Sequence, residues 1–284
     1  MSNLENTDMS DYWNGDGGHE WIRFQRIIDK GLTPFGERAM EVANLQFGEK
    51  VLDIGCGCGD TSFEISRRIG KEGYVQGVDI SNLLLNKAKS KVPDQTIANV
   101  SFECADAQVH SFRGAYYDVM FSRNGVMFFN EPILAFSNIR RALKPNGRLV
   151  FICWQPVKEN QWVNLPLTVA ANFVQLPEPT DPESPGGFSF GDPARIERIL
   201  SSSGFDNISI QEFSGEFLVG ETLHQAVDFL SNIGPASNAI KSSEMEAEEQ
   251  NLFDSALHEL LLSQLRPEGV KLDAAMWIVT ANNR

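Results

Sequence analysis

The chain has 284 residues, enough for one large domain with a substantial hydrophobic core. Hydrophobic residues make up 42% and charged residues 22% of it, and both values are ordinary for a globular protein. The net charge of −14 repels polyphosphate backbones, and no stripe of Lys and Arg offsets it, so the composition argues against a nucleic-acid substrate.

The N-terminal segment has neither the basic stretch nor the apolar stretch of a signal peptide. No apolar run reaches the roughly 18–20 residues that are needed to cross a bilayer. The four cysteines lack the spacing of a disulfide framework; they are Cys56, Cys58, Cys104 and Cys153. We therefore expect a cytoplasmic protein with reduced thiols and no membrane contact.

Residues 1–48 predict an N-terminal helical lid. Trp21, Phe24 and Ile28 recur at helical spacing and indicate one buried helix face. Gly31 stands where a helix commonly ends, and Pro34 where a second one commonly begins. The sequence thus predicts two helices in succession before residue 48.

Residues 49–155 predict a core in which strands and helices alternate. The predicted strands are 50–55, 73–80, 100–107, 117–123 and 148–154, and the predicted helices between them are 60–70, 82–92 and 131–143. Five short apolar strands that alternate with helices indicate a doubly wound, mostly parallel α/β sheet.

The remaining chain predicts cap insertions interleaved with further core elements. Residues 156–191, rich in Pro, Gly and aromatic residues, predict an irregular cap insert. Residues 192–219 predict a core helix and a strand, with a bulge near Gly215. Residues 220–272 predict a helical cap of two helices, and residues 273–284 a final core strand.

A glycine-rich loop follows the first predicted strand. Gly55, Gly57 and Gly59 occupy alternate positions after Asp53, and a helix is expected to begin near Asp60. Glycine is needed where the backbone turns tightly or where a ligand lies directly against it. Such a turn at the carboxyl end of a central strand is where open α/β sheets bind their ligands.

Three kinds of ligand site compete for this loop. A dinucleotide-binding fingerprint requires glycine at position 60, which is Asp60 here, and a phosphate-binding P-loop requires a following Lys that is absent. Cys56 and Cys58 form a C-x-C pair without the further ligands that zinc prefers. The sequence therefore predicts no metal and a ligand that is not anchored by phosphates.

Two acidic residues end the next two strands. Asp79, 24 residues after Gly55, is placed to accept hydrogen bonds from ribose hydroxyls. Its alternative role is to cap the following helix, which Ser81 fills more naturally. Asp106 can accept from an exocyclic amine such as adenine N6, and its alternative is a turn residue. Together these acids predict a nucleoside site.

These motifs together resemble those of class I S-adenosylmethionine-dependent methyltransferases. The matching segments, in order, are "VLDIGCGCGDTS", "GVDIS", "ADAQ", "YDVMFSRNGVMFF" and "LKPNGRLVF". The resemblance is to the ubiquinone/menaquinone (UbiE-like) group of small-molecule methyltransferases, strong over residues 48–155 and weaker over the last two strands. It implies a seven-stranded Rossmann-like sheet with an antiparallel edge, and S-adenosylmethionine as cofactor with S-adenosylhomocysteine as product.

The resemblance also implies roles for individual residues. On this basis Gly55, Gly57 and Gly59 let the methionine part of the cofactor cross the turn, and Asp53 orients its ammonium. Asp79 holds the ribose, Ile80 packs on the adenine, and the adenine pocket is lined by Asp106, Ala107 and Gln108. Ser122 and Arg123 face the methionyl carboxylate or the methyl group.

Aromatic and apolar residues outside these motifs predict a pocket for a small, partly hydrophobic acceptor. They are Tyr12, Trp13, Met127, Phe128, Trp154 and Phe188; the alternative is that they seal the cap onto the sheet. His19 is the best candidate for a general base, and its alternative is an exposed loop residue.

Several acceptor classes lose support from absent motifs. "SRNG" stands where enzymes that methylate nucleic-acid amines carry Asn/Asp-Pro-Pro-aromatic, and the paired glutamates of arginine methylation are missing. Carbon or oxygen methylation of a small molecule is the favoured function. A protein methyltransferase, a non-catalytic S-adenosylmethionine-binding regulatory or partner-binding module and a nicotinamide-dependent oxidoreductase are the alternatives. The sequence leaves the acceptor, the methylated atom, the oligomeric state and closure of the lid open.

Overall fold

A computed structural model describes residues 6–92, 99–177, 181–243 and 245–284. Its helices are α1 (Thr7–Asn14), α2 (Asp16–Ala43), α3 (Asp60–Ile69), α4 (Asn82–Lys91), α5 (Pro132–Ala142), α6 (Gln161–Ala170), α7 (Pro193–Ser202), α8 (Leu223–Asn232), α9 (Pro235–Ser242) and α10 (Ala247–Leu261). Its strands are β1 (Lys50–Ile54), β2 (Tyr74–Asp79), β3 (Val100–Cys104), β4 (Tyr117–Arg123), β5 (Leu143–Trp154), β6 (Asp206–Gly220), β7 (Leu265–Arg266) and β8 (Gly269–Asn282).

One sheet with the order β3-β2-β1-β4-β5-β8-β6 forms the centre of the fold, and the two-residue β7 pairs with β8. Neighbouring strands from β3 to β5 run parallel, whereas β8 runs antiparallel to both β5 and β6. The predicted α/β class and the antiparallel edge formed by the last two long strands are confirmed.

The parallel strands are buried because helices cover the sheet. Val51, Leu52, Val119 and Met120, on β1 and β4, have no exposed surface, as expected for central strands that pack on both faces. Because β1, β2 and β4 run parallel, their carboxyl ends meet at one edge of the sheet, where the loops that follow them converge. This edge positions the candidate site.

The N-terminal segment differs from its prediction. Residues 16–43 form one continuous helix, α2, with Gly31 and Pro34 inside it. Gly31 does not end the helix; it allows close packing, since a Cβ there would lie 2.5 Å from the Phe217 ring and 2.8 Å from the Leu218 carbonyl oxygen. Tertiary packing of α2 on β6 therefore overrides the local helix-ending signals.

Replacing Gly31 with alanine is expected to lower the free energy of unfolding by about 1–3 kcal/mol, because the methyl group overpacks the contact with β6. Gly36 in the same helix is the matched control, since the nearest atom to an added Cβ is Arg123 Cδ at 3.5 Å. Alanine at Gly36 should be neutral or stabilise the helix by up to about 1 kcal/mol. Urea denaturation of both variants checks this, and equal losses would contradict the packing argument.

Four further predictions of local structure need correction. Residues 161–170, predicted to be irregular, form α6 in spite of Pro166. Helix α9 was not predicted, because its Gly-Pro start reads as a loop signal, although Pro235 is at a position that suits the first turn of a helix. Gly215 pairs regularly with Ala274, and the register shifts of β6 lie nearer its two ends. The final strand begins at Gly269, four residues earlier than predicted.

Candidate active site

A cavity of about 480 Å³ lies over the carboxyl ends of the central strands. The glycine loop after β1 forms part of its wall through Gly55 and Gly57, both at positive φ. A Cβ on Gly55 would lie 2.6 Å from Gly125 Cα, so this glycine is required for packing. A Cβ on Gly57 would meet only Trp21 Nε1 at 4.0 Å, so this glycine leaves space open for a ligand. Gly59 packs against the Phe102 ring and does not line the cavity.

Asp53 lies behind the glycine loop and not in the cavity wall. Its side chain is 1% exposed, and Oδ2 accepts a hydrogen bond of 2.6 Å from Ser62 Oγ. Oδ1 is buried and has no hydrogen-bond partner among the described residues. Burial raises the pKa of Asp53 to about 7, so the uncharged carboxyl group is favoured far above its ordinary range.

Asp79 lies in the cavity wall at the end of β2, where its carboxylate joins two loops. Oδ2 accepts from the Gly57 backbone N–H at 2.7 Å, and Oδ1 from the Ser81 N–H at 2.9 Å. Burial raises the pKa of Asp79, against the opposing effect of these hydrogen bonds. Ser81, as expected, caps α4 with its own side chain. Asp79 thus holds the glycine loop in place and forms part of the cavity wall.

Asp106 and Ala107 line the cavity after β3, as does Ile80 after β2. Asp106 accepts from the Asn6 backbone N–H at 2.8 Å through Oδ2 and from the Gln108 N–H at 2.9 Å through Oδ1. Gln108, predicted to line the adenine pocket, is buried outside the cavity wall. Its side chain accepts from the Glu131 N–H at 2.8 Å and so secures the chain behind the pocket.

Ser122 and Arg123 were both predicted to face the methionyl carboxylate or the methyl group, but only Arg123 lines the cavity. Ser122 is buried outside the cavity wall, and its hydroxyl donates to the Ile54 carbonyl oxygen at 2.7 Å. Arg123 does line the cavity, where its guanidinium donates to Asp29 Oδ1 at 2.7 Å. The positive charge beside the predicted methionyl site is therefore already paired with a carboxylate of α2.

Asp29 belongs to a polar network that sequence reasoning missed. Gln25 donates to Asp29 Oδ2 at 3.2 Å and to Asp60 Oδ2 at 2.6 Å, and Lys91 donates to Asp60 at 2.7 Å. Burial raises the pKa of Asp29, against the opposing charge of Arg123. No motif marks these residues, because they come together from α2, α3 and α4.

All six residues predicted for the acceptor pocket line the cavity; they are Tyr12, Trp13, Met127, Phe128, Trp154 and Phe188. Sequence reasoning did not assign Phe217 and Phe229, which also line it. Ring centroids of Trp154 and Trp162 are 5.0 Å apart, and those of Trp162 and Phe217 are 5.4 Å apart. We call Trp154, Trp162, Phe188, Phe217 and Phe229 the aromatic chamber; their rings form an apolar part of the cavity wall.

Helix α1 covers the cavity on the side of β2 and β3. The Asn6 side chain donates to the Phe128 carbonyl oxygen at 2.6 Å, and Ser81 Oγ donates to the Trp13 carbonyl oxygen at 2.7 Å. The rings of Trp13 and Phe128 meet edge to face, 5.2 Å apart. The first described helix of the N-terminal segment therefore contacts the loops that carry Asp79 and Asp106.

His19 is exposed on α2 and does not line the cavity, so its geometry gives no support to the predicted role as a base. None of the other histidines lines this cavity either.

Cys56 and Cys58 are buried, and burial raises the pKa of Cys58 to about 12, so both thiols serve packing. No described group of three or more His, Cys, Asp or Glu side chains is arranged to hold a metal ion. None of the described helices combines the length and the apolar character needed to span a membrane.

Residues 51–147, which contain the glycine loop and both nucleoside acids, match the family described as methyltransferase domain. These residues thus resemble a methyltransferase domain. The predicted resemblance to class I S-adenosylmethionine-dependent methyltransferases of the UbiE-like group is thereby confirmed.

Relatives and solved structures extend this assignment to different degrees. Over 114 residues the chain is 35% identical to the UbiE C-methyltransferase of Saccharophagus degradans, covering 40% of this chain and 46% of that protein. It is 28% identical to the aklanonic acid methyltransferase DauC of Streptomyces sp., covering 45% of this chain and 58% of that protein. The Haemonchus contortus phosphoethanolamine N-methyltransferase 2 complex with S-adenosylhomocysteine has a similar fold, with a TM-score of 0.59, 17% identity and coverage of 100% of this chain and 61% of that one. The chain thus covers between 46% and 61% of the length of these three proteins.

Proposed function

We propose that this protein is an S-adenosylmethionine-dependent methyltransferase that methylates carbon or oxygen of a small, partly hydrophobic acceptor. The observation that carries the proposal is one cavity with two unlike ends. Gly57, Asp79 and Asp106 lie at β1, β2 and β3 on one side of the sheet order, whereas Trp154 and Phe217 of the aromatic chamber lie on β5 and β6 on the other side. A cofactor at the first end would present its methyl group to a molecule in the second.

The chain's own groups fit this cofactor. Gly57 leaves open space in the cavity wall, where a side chain would obstruct the methionine part. Asp79 and Asp106 offer carboxylate oxygens to ribose hydroxyls and to the adenine amine. Asp53 Oδ1 lacks a partner among the described residues; burial raises the pKa of this carboxyl to about 7, and a cationic group bound at the loop would favour its ionised form.

Bound S-adenosylmethionine supplies an electrophilic methyl group on a positively charged sulfur. In the transfer the bond from methyl carbon to sulfur breaks with its electron pair left on sulfur, and a bond to the acceptor nucleophile forms. A proton carried by that nucleophile leaves to solvent. The protein's contribution is to align the nucleophile with the methyl carbon and to exclude water, which the aromatic chamber and α1 are placed to do.

The chamber also bears on the acceptor class. Its ring contacts provide an apolar surface, and the cations in the cavity wall are Arg123, which is paired with Asp29, and Lys241. The wall also contains Asp16 and Glu20. An acceptor with a strongly anionic group would find no unpaired buried cation here, which favours an uncharged molecule.

Calorimetric titration with S-adenosylmethionine and S-adenosylhomocysteine, with NAD as the control ligand, tests the cofactor assignment. We expect Gly57→Ala to weaken S-adenosylhomocysteine binding at least tenfold, since the new methyl group points into open cavity space (about 1.4 kcal/mol per factor of ten). Gly48→Ala is the matched control, because Gly48 also has positive φ but an added Cβ meets nothing within 4 Å. Equal affinity in both variants, or tighter binding of NAD, would contradict the proposal.

A further inference from the structure

Asn124 is a buried polar residue to which none of the interactions described above assigns a role. It follows β4, between Arg123 and Gly125, with φ of 60°, a conformation that Asn tolerates better than most residues. Its backbone N–H donates to the Ile152 carbonyl oxygen at 3.1 Å. The residue lines the cavity and is only 8% exposed.

The side-chain oxygen of Asn124 is unpaired among the described residues. Oδ1 is buried and makes no hydrogen bond with any described residue. Leaving a buried polar atom unpaired generally costs stability, and such atoms are uncommon in folded proteins. A polar group that persists unpaired in the wall of a binding cavity indicates that a ligand completes it.

The position of Asn124 sets which ligand reaches it. A Cβ on the adjacent Gly125 would lie 2.8 Å from Gly55 Cα, so this turn packs directly on the glycine loop. Because Asn124 follows β4, which lies between β1 with its glycine loop and β5 with Trp154, it lies between the proposed cofactor end of the cavity and the aromatic chamber. Its charged neighbour Arg123 is paired with Asp29, whereas the Asn124 side-chain oxygen has no partner among the described residues.

We propose that Asn124 binds a hydroxyl group of the acceptor and so orients the acceptor's apolar ring system in the aromatic chamber. A hydroxyl both donates and accepts, and it can therefore pair with either end of an amide without bringing charge into the chamber. The inference rests on the proposed methyltransferase function, because it places this hydroxyl beside the methyl donor.

Binding of ring compounds that differ only in the hydroxyl tests the inference. The probes are 2-naphthol, 2-methoxynaphthalene and naphthalene, titrated into protein saturated with S-adenosylhomocysteine. Trp13, Trp21, Trp154 and Trp162 line the cavity, so quenching of tryptophan fluorescence reports its occupation. We expect the wild type to bind 2-naphthol roughly five- to tenfold more tightly than naphthalene, as one net hydrogen bond allows.

Asn124→Gly should abolish this preference, so that the naphthol and naphthalene affinities become equal. Glycine tolerates the positive φ at this position, and the variant therefore keeps the backbone conformation. Asn238→Ala is the matched control, since Asn238 is an exposed amide at the edge of the same cavity, and it should keep the preference. A merely structural role of Asn124 would lower both affinities and leave their ratio unchanged.

The outcomes separate this inference from the proposed function. Failure of the wild type to bind S-adenosylhomocysteine would overturn the function itself. With that binding intact, an unchanged naphthol preference in Asn124→Gly would overturn the role of Asn124. So would equal affinity, or no binding of either compound, in the wild type.

Discussion

Replacing Asp79 with alanine is expected to weaken S-adenosylhomocysteine binding by roughly a hundredfold, since hydrogen bonds to a charged group contribute about 1.5–3 kcal/mol each. Asp79 forms part of the cavity wall, and its carboxylate is expected to accept from both ribose hydroxyls. It also holds the Gly57 N–H at 2.7 Å, so its loss loosens the loop that the cofactor would cross. Calorimetric titration measures the change in affinity directly.

Two further variants make the Asp79 experiment specific. Asp79→Asn preserves the shape of the side chain and removes its charge, so we expect an intermediate loss of affinity, on the order of tenfold. Asp118→Asn is the matched control: Asp118 accepts from the Lys50 N–H at 2.9 Å and from Lys144 at 2.6 Å, away from the cavity wall. Wild-type affinity in Asp79→Ala would remove the basis of the cofactor assignment.

The second large effect concerns pH. Because burial raises the pKa of Asp53 from 3.8 to about 7, the folded state binds more protons than the unfolded state between these values. The stabilisation by the protonated carboxyl is fully present below about pH 4 and is lost as pH rises through about 7. Over this pH range the ionisation of Asp53 lowers the free energy of unfolding by at most roughly 4 kcal/mol.

Asn at position 53 removes this titration and keeps an oxygen that can accept from Ser62. We expect Asp53→Asn to become more stable than the wild type as pH rises from 5 to 8, by an amount that grows through about pH 7. Urea denaturation of both proteins at each pH gives the difference, in which the titration of all other groups cancels. Parallel pH profiles would mean that Asp53 ionises in the folded protein as it does in the unfolded chain.

The cofactor end of the cavity was largely predictable from sequence, because each of its parts is local. Gly57, Asp79 and Asp106 directly follow apolar strands, and parallel strands bring their carboxyl ends to one edge of the sheet. The fold class followed from the same alternation of strands and helices. The binding roles of these residues remain predictions.

The remaining features depend on distant contacts that no short pattern encodes. The Arg123–Asp29 pair joins residues 94 positions apart; a motif marks Arg123, but no pattern around Asp29 marks it as the partner. Ser122 and Gln108 adjoin predicted site residues, yet their side chains turn inward to hold backbone groups of Ile54 and Glu131. Proximity in sequence predicts the neighbourhood of such residues, whereas the direction of each side chain depends on local backbone geometry.

The two ends of the cavity are built from separate stretches of chain. The glycine loop and the nucleoside acids lie within residues 51–147, the part that matches the methyltransferase family, whereas Trp154, Trp162, Phe188, Phe217 and Phe229 all lie after it. The family match therefore covers the proposed donor end together with Asn124, Met127 and Phe128, whereas all five rings of the aromatic chamber lie outside it. Under the proposed function, substitutions in the later stretch would reshape the chamber for the acceptor while the proposed donor end stays unchanged.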